Sequence, residues 1–192
     1  AGCYVQAAEE ELAKKNEADI LVGNNKKKDI AQILEEYFAA KEPEQEVPVV
    51  SEVIDINHTK EYEDLTIHKV NEHTRAYIKI QDGCNQFCSY CIIPYTRGRI
   101  RSKNPEEVIE EVKNLAAQGY KEIVLTGIHL GNYGKDLHDG TSLSTLVTEL
   151  VRIPDLLRIR LGSIESVELS DELIRIIREE PKVCPHLHLP IQ

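Results

Sequence analysis

From residue 76 onward the chain alternates strand-like apolar runs with amphipathic helices, and this alternation restricts the fold more than any other feature of the sequence. AYIKIQDG (76–83) reads as a strand, and EIVLTG (122–127) is a continuous apolar run, as expected of a parallel strand covered on both faces. LLRIRLGS (156–163) is the next strand, and HLHLPI (186–191) opens another. Three helices fall between them. Asn104 stands as an N-cap with Pro105 at the first helical position and Glu107 three residues after the cap, a capping box. The inward face of that helix is Val108, Ile109, Val112, Leu115 and Ala116, and Gly119 closes it. A second helix places Leu143, Leu146, Val147, Leu150 and Val151 on one side and stops at Pro154; Ser170 caps a third, with Leu173, Ile174, Ile176 and Ile177 inward, ended by Pro181. Four strands alternating with three helices are repeated βα units around a parallel sheet, and periodicity fits a barrel or an open sheet equally.

The part before residue 75 is different. Residues 7–15 read as an exposed helix, ADILVG (18–23) as a short strand, and DIAQILEEYFAA (29–40) as a helix with Ile30, Ile33, Leu34, Tyr37 and Phe38 on one face. This is the tail of a small α/β unit over 1–42. Residues 43–74 hold Pro43, Pro48 and short β-like pieces such as EVIDIN and LTIHKV among many charges, and read as a partly extended linker to a second domain over 75–192. The chain lacks an initiator methionine and stops at HLHLPIQ in the middle of what reads as a strand, which is expected of a fragment. Without a long apolar run or a charged leader followed by an apolar core, the expected compartment is the cytoplasm, with no membrane partner.

Three of the five cysteines, Cys84, Cys88 and Cys91, are spaced C-x3-C-x2-C just after the first strand of the βα series. An odd count with three thiols crowded together argues against a disulfide framework and for reduced ligands. In βα barrels the loops after the strands gather the active site. Four thiolates saturate a four-iron, four-sulfur cluster, whereas three leave one iron open to a small molecule. A structural zinc site is the competing reading, but it wants four ligands, usually as separated pairs, and the nearest spare histidine, His73, lies eleven residues before Cys84. A net charge of −10 argues against a nucleic-acid partner, yet PYTRGRIRSK (94–103) carries Arg97, Arg99, Arg101 and Lys103 without an acid. That run reads either as a solvated surface or as a contact for phosphates and carboxylates.

The cysteine spacing after the first strand of a βα series resembles the radical S-adenosylmethionine (SAM) superfamily. Within it, DGCNQFCSYCIIPYTRGR, TGIHLGNYG, RLGSIES and HLHLPIQ are similar to the methylthiotransferases, and closest to those acting on threonylcarbamoyladenosine in tRNA. AGCYVQ and ADILVGN look like the end of that family's N-terminal domain, so the resemblance runs the full length. It implies an α/β fold with a partial, TIM-like βα barrel of the radical SAM type. It also implies that Cys84, Cys88 and Cys91 hold a 4Fe-4S cluster whose open iron is chelated by SAM, and that an electron from the cluster cleaves the sulfonium to methionine and a 5'-deoxyadenosyl radical. Hydrogen is then taken from carbon 2 of a modified adenosine beside the anticodon, and a sulfur and a methyl group replace it. Cys3 matches the third ligand of the family's second 4Fe-4S cluster, whose other two ligands would lie upstream of residue 1; otherwise Cys3 is a buried, inert thiol.

The same resemblance implies cofactor contacts from Tyr90, Thr126, Gly127, Ser163, Glu165 and Gln192, and makes Arg97, Arg99 and Arg101 candidate substrate contacts. Each also has a plain reading: packing for the tyrosine, a glycine-rich turn for TGIHLGNYG, an ordinary polar strand end for the others. The implied partners are the tRNA anticodon loop and an electron donor such as flavodoxin or ferredoxin. Alternatives are a methylthiotransferase for isopentenyladenosine in tRNA, one for a ribosomal-protein aspartate, or a non-catalytic iron-sulfur module. Cys184 and the histidines carry no signal, and His129 is only near the glycine-rich strand end.

Overall fold

The computed structural model describes residues 1–41, 48–65 and 75–191, so His73, Gln192 and most of LTIHKV lie outside the described residues. The chain divides into two compact units, one of residues 1–65 and 84–99, the other of 66–83 and 100–192.

The first unit begins with α1 (Cys3–Lys15), which is bent at Ala8 and ends at Asn16 in the left-handed conformation. β1 (Ile20–Val22) leads through a single 3-10 turn to α2 (Ile30–Ala40). β2 (Val50–Glu52) arises from the segment expected to be a partly extended connection, and pairs parallel with β1 in the register Ile20↔Val50 to Val22↔Glu52. Gln6 fastens α1 to this ribbon: its Nε2 donates to Ile54 O at 2.8 Å and its Oε1 accepts from Asn24 N at 2.9 Å. The core is Val5, Leu21, Val22, Ile33, Tyr37 and Ile56. Of the five apolar residues along α2, only Ile33 and Tyr37 are buried; Ile30, Leu34 and Phe38 are exposed, because two strands of three residues cover only part of that stripe. The same unit contains α3 (Ile93–Arg97), a five-residue helix packed on α1 that the sequence reading did not foresee.

The second unit is built on a four-stranded sheet in the order β4-β3-β5-β6. β3 (Arg75–Asp82), β5 (Glu122–Gly127) and β6 (Arg158–Leu161) run parallel, and the two-residue β4 (Arg101–Ser102) lies antiparallel against the end of β3. α4 (Pro105–Ala117), α5 (Leu143–Leu150) and α6 (Asp171–Glu179) follow β4, β5 and β6. Asn104 Oδ1 caps α4 through Glu106 N and Glu107 N, a reciprocal capping box starts α5 at Ser142 and Thr145, and Ser170 caps α6 through Leu173 N. These caps satisfy N–H groups that a helix cannot use internally, which sets where each helix starts.

One face of the sheet, carrying Ala76, Ile78, Ile80, Ile123, Leu125, Ile159 and Leu161, forms a single core with Val108, Val112, Leu115, Leu146, Val147, Leu150, Leu173 and Ile176 of the helices. β3 alternates, so Arg75 and Tyr77 point away from that core and are exposed; the first four residues of β5, the central strand, are all buried, as its continuous apolar run requires. On the face away from the core, Glu122 lies among Arg75, Arg158 and Arg160 at 3.8, 3.4 and 3.0 Å. The strand expected at HLHLPI is not formed among the described residues. A single parallel bridge, Ser163↔His188, stands in its place, and another, Ile159↔Val183, lies just before it. Pro185 and Pro190 lack the N–H that a continuous ladder there would need.

Candidate cluster-binding site

β3 runs into Gly83, whose φ of +74° turns the chain and whose N–H donates to Asp82 Oδ1 at 2.9 Å. Residues 84–99, which then follow, close on themselves: Cys84 N–H donates to Gly98 O at 3.0 Å and Cys91 N–H to Cys88 O at 2.9 Å. Phe87, at φ +50°, meets Tyr95 edge to face at 5.4 Å, and the Arg99 guanidinium lies 4.5 Å over its ring. The loop presents three thiols outside any disulfide, Cys88 exposed and Cys84 and Cys91 half-buried, and Gln86 N–H already points at Cys84 Sγ from 3.4 Å.

Among the described residues no three His, Cys, Asp or Glu side chains converge on one metal ion. A cluster does not ask for that, since three thiolates bound to four irons each meet a different iron. Thiols held outside any disulfide on one closed loop, one of them already receiving a backbone N–H, are the donor set such a cluster takes, and they fit it.

Cys3 lies in the same unit as this loop. Its Sγ accepts from Arg97 Nε at 3.1 Å and from Asn24 Nδ2 at 3.4 Å, and the buried Asn24 also donates to Thr96 O at 2.6 Å. Burial alone would raise the Cys3 pKa, but the Asn24 hydrogen bond and the Arg97 charge and hydrogen bond outweigh it and hold the thiol below its ordinary value. Cys184 goes the other way, raised chiefly by burial.

The basic run is not one surface. Arg99 is exposed and Arg97 half-buried on Cys3, whereas Arg101 is 1% exposed in β4, in register with Asp82. Lys103 is equally buried, its Nζ 2.8 Å from Glu111 Oε2. Of the four cations in the run, one is exposed and one half-exposed, because β4 draws the other two inward.

Of the expected cofactor contacts, Tyr90 belongs to the cysteine unit and is 70% exposed. Thr126, Gly127, Ser163 and Glu165 belong to the other unit; Thr126 and Gly127 end β5, and Ser163 and Glu165 follow the carboxyl end of β6. Thr126 Oγ1 donates to Ile78 O at 3.1 Å. Ser163 Oγ lies 2.6 Å from His188 Nδ1, and Glu165 O accepts from Glu168 N at 2.9 Å. His129 is buried, its Nδ1 3.0 Å from Asn132 Nδ2 and its Nε2 3.7 Å from Glu168 Oε1. Gln81 is the residue that sequence reasoning missed. Its only signal was a long amide immediately before the Asp-Gly turn at the end of an apolar strand.

The radical SAM superfamily model matches residues 78–192, and the chain belongs to that superfamily. Its parallel sheet, with helices packed on one face, is part of a radical SAM βα barrel. The chain is 41% identical over 191 residues to the threonylcarbamoyladenosine tRNA methylthiotransferase MtaB of Aquifex aeolicus, covering 100% of this chain and 45% of that protein. It is 40% identical over its whole length to the MtaB of Bacillus subtilis, of which it covers 41%. The tRNA-2-methylthio-N(6)-dimethylallyladenosine synthase of Dictyoglomus thermophilum is also 40% identical, over 100% of this chain and 42% of that protein. The chain thus spans less than half the length of these relatives. Among solved structures, the radical SAM methyltransferase TsrM of Kitasatospora setae aligns with a TM-score of 0.45 at 22% identity, over 56% of this chain and 20% of that one.

Proposed function

We propose that the chain is the cluster-bearing part of a tRNA methylthiotransferase that installs a methylthio group at carbon 2 of N6-threonylcarbamoyladenosine beside the anticodon. The observation that carries this is the identity of 41% and 40%, over the whole chain, to two enzymes named for that substrate. In this reading Cys84, Cys88 and Cys91 hold a 4Fe-4S cluster with one iron left for SAM. Once reduced by the electron donor, such a cluster would supply the single electron that splits the sulfonium of SAM into methionine and a 5'-deoxyadenosyl radical. The chain's own residues hold and orient. The Cys84–Gly98 bond keeps the cysteine loop closed, and Gln86 N–H supports the Cys84 sulfur. Tyr90, Thr126, Gly127, Ser163, Glu165 and Gln192 are the proposed contacts to SAM. Cys3 is the proposed third ligand of a second cluster, with Asn24 and Arg97 donating to its sulfur.

Of the proposed substrate contacts Arg97, Arg99 and Arg101, Arg99 is the exposed one, suited to an RNA phosphate or the threonyl carboxylate. Single-stranded anticodon-loop bases are RNA targets that can be splayed into a pocket. Electrons come from a donor such as flavodoxin or ferredoxin, and the compartment is the cytoplasm; among the described residues no helix is long and apolar enough to cross a membrane. The test has two stages. Anaerobic reconstitution with iron and sulfide is expected to give a four-iron electron paramagnetic resonance signal that changes when SAM is added; a signal indifferent to SAM, or a site that takes only zinc, refutes the reading. The whole protein is then incubated with tRNA and the nucleosides are resolved by mass spectrometry.

A second reading, in which the adenosine carries a dimethylallyl group, has its own support. Two relatives named for that substrate are 48% identical over 62% and 65% of this chain. The mass of the methylthiolated nucleoside separates the two.

A further inference from the structure

We infer that Gln81 is a positioning residue, whose buried amide clamps the backbone leading into Cys84 to the backbone of His129 in the loop after β5. The Gln81 side chain is fully buried. Nε2 donates to Asp82 O at 2.8 Å and to Gly83 O at 2.7 Å, while Oε1 accepts from His129 N at 2.8 Å. Both amide hydrogens and the carbonyl are therefore in use, and only one orientation serves. Turned over, the NH2 would face the His129 N–H, and the oxygen would face two carbonyl oxygens.

The surroundings are shaped for this amide. The register between β3 and β5 shifts after Lys79, so that Gln81 pairs with Gly127. A Cβ on Gly127 would sit 2.8 Å from Gln81 Oε1 and 3.0 Å from Gln81 Cβ, so the absence of a side chain there makes room for the clamp. His129 is in turn held through Asn132 at 3.0 Å. The consequence is that the exits of two neighbouring parallel strands, one leading into the cysteine loop and one into the glycine-rich TGIHLGNYG segment, move together. The inference rests on the proposed function in taking Thr126 and Gly127 as cofactor contacts; the hydrogen bonds themselves do not depend on it.

Amide hydrogen exchange of the cofactor-free chain by NMR tests the clamp, and SAM titration of the reconstituted chain tests its purpose. In the wild type the His129 amide is expected to exchange at least tenfold more slowly than exposed loop amides. Gln81→Met keeps the shape and removes all three bonds, so the His129 and Cys84 amides should exchange at least tenfold faster, while Ile78 and Ile80 are unchanged. Gln81→Glu keeps the acceptor for His129 and should leave that amide protected. It still alters the pairing at Asp82 O and Gly83 O, so Cys84 quickens; this variant serves if Gln81→Met does not fold. After reconstitution to equal iron content, Gln81→Met should need at least tenfold more SAM for the same spectral change. A wild-type His129 amide that exchanges freely overturns the inference. So does faster exchange with an unmoved SAM dependence, which would leave Gln81 a structural bond only. If the wild type builds no four-iron cluster, the proposed function falls, and the clamp stands or falls on the exchange rates.

Discussion

Gly134 and Gly140 lie in the loop between β5 and α5, each with φ +88°, yet the space around them is opposite. A Cβ on Gly140 meets nothing within 4 Å, whereas one on Gly134 would lie 2.2 Å from Thr141 O, 2.6 Å from Thr141 C and 3.1 Å from Ser142 N. Neither side of that contact is loose. Gly134 N–H donates to Ser102 Oγ at 2.8 Å, and Ser142 is locked into its capping box with Thr145 through bonds of 2.9 and 3.1 Å. Alanine at either position pays about 1–2 kcal/mol for the left-handed backbone. The entropy lost by the unfolded chain is the same for both and cancels in the comparison. Only Gly134→Ala must also displace backbone, at about 1–3 kcal/mol by the usual cost of overpacking. With a urea slope of about 2 kcal/mol/M, its midpoint should fall about 0.5–1.5 M below that of Gly140→Ala. Far-UV circular dichroism is the probe, as the chain has no tryptophan. Equal midpoints for the two variants would refute the reasoning, since φ would then account for the whole effect.

Glu111→Ala removes the carboxylate 2.8 Å from the buried Lys103 ammonium and should cost about 3 kcal/mol in the same unfolding assay, with the double variant Lys103→Met/Glu111→Leu recovering much of that loss. For Glu122, burial raises the pKa, but the Arg160 hydrogen bond and the charges of Arg75, Arg160 and Arg158 outweigh it, leaving the carboxyl below its ordinary 4.5. A depressed folded pKa contributes stability above the unfolded value and loses it as pH falls. The stability gap between wild type and Glu122→Gln should therefore be flat at neutral pH and narrow below about pH 4.5; a gap constant down to pH 3 would contradict this. Alanine at Cys84, Cys88 or Cys91 should abolish the four-iron signal after reconstitution without lowering the thermal midpoint of the cofactor-free chain, because none of the three is in a disulfide or fully buried; Cys184→Ala, in the core, should do the reverse.

The starts of α4 and α6 were legible because capping is local: Asn104 and Ser170 satisfy N–H groups two or three residues ahead, and the sequence alone places them there; the Ser142–Thr145 box that starts α5 was read only from the structure. The parallel sheet was legible because strand-like apolar runs alternate with amphipathic helices, and the continuous run of β5 is what a strand covered on both faces needs. The three cysteines needed no more than their spacing. What depended on distance along the chain was not legible. β4 is two residues long and carries no periodic signal, yet its pairing with the end of β3 buries Arg101 and divides a basic run that reads as continuous. α2 carries five apolar residues on one face, and only the small two-stranded ribbon beside it decides that two of them are buried. Cys3 and Arg97 are 94 positions apart, and Gln81 and His129 are 48 apart, so their hydrogen bonds exist only once the strands and helices are packed. The sequence by itself determined the repeating βα order and the thiol triplet, because both follow from neighbours. Tertiary structure decided which charges face water and which amide ties two strand ends together, because burial and hydrogen-bond partners depend on residues that meet only in the fold.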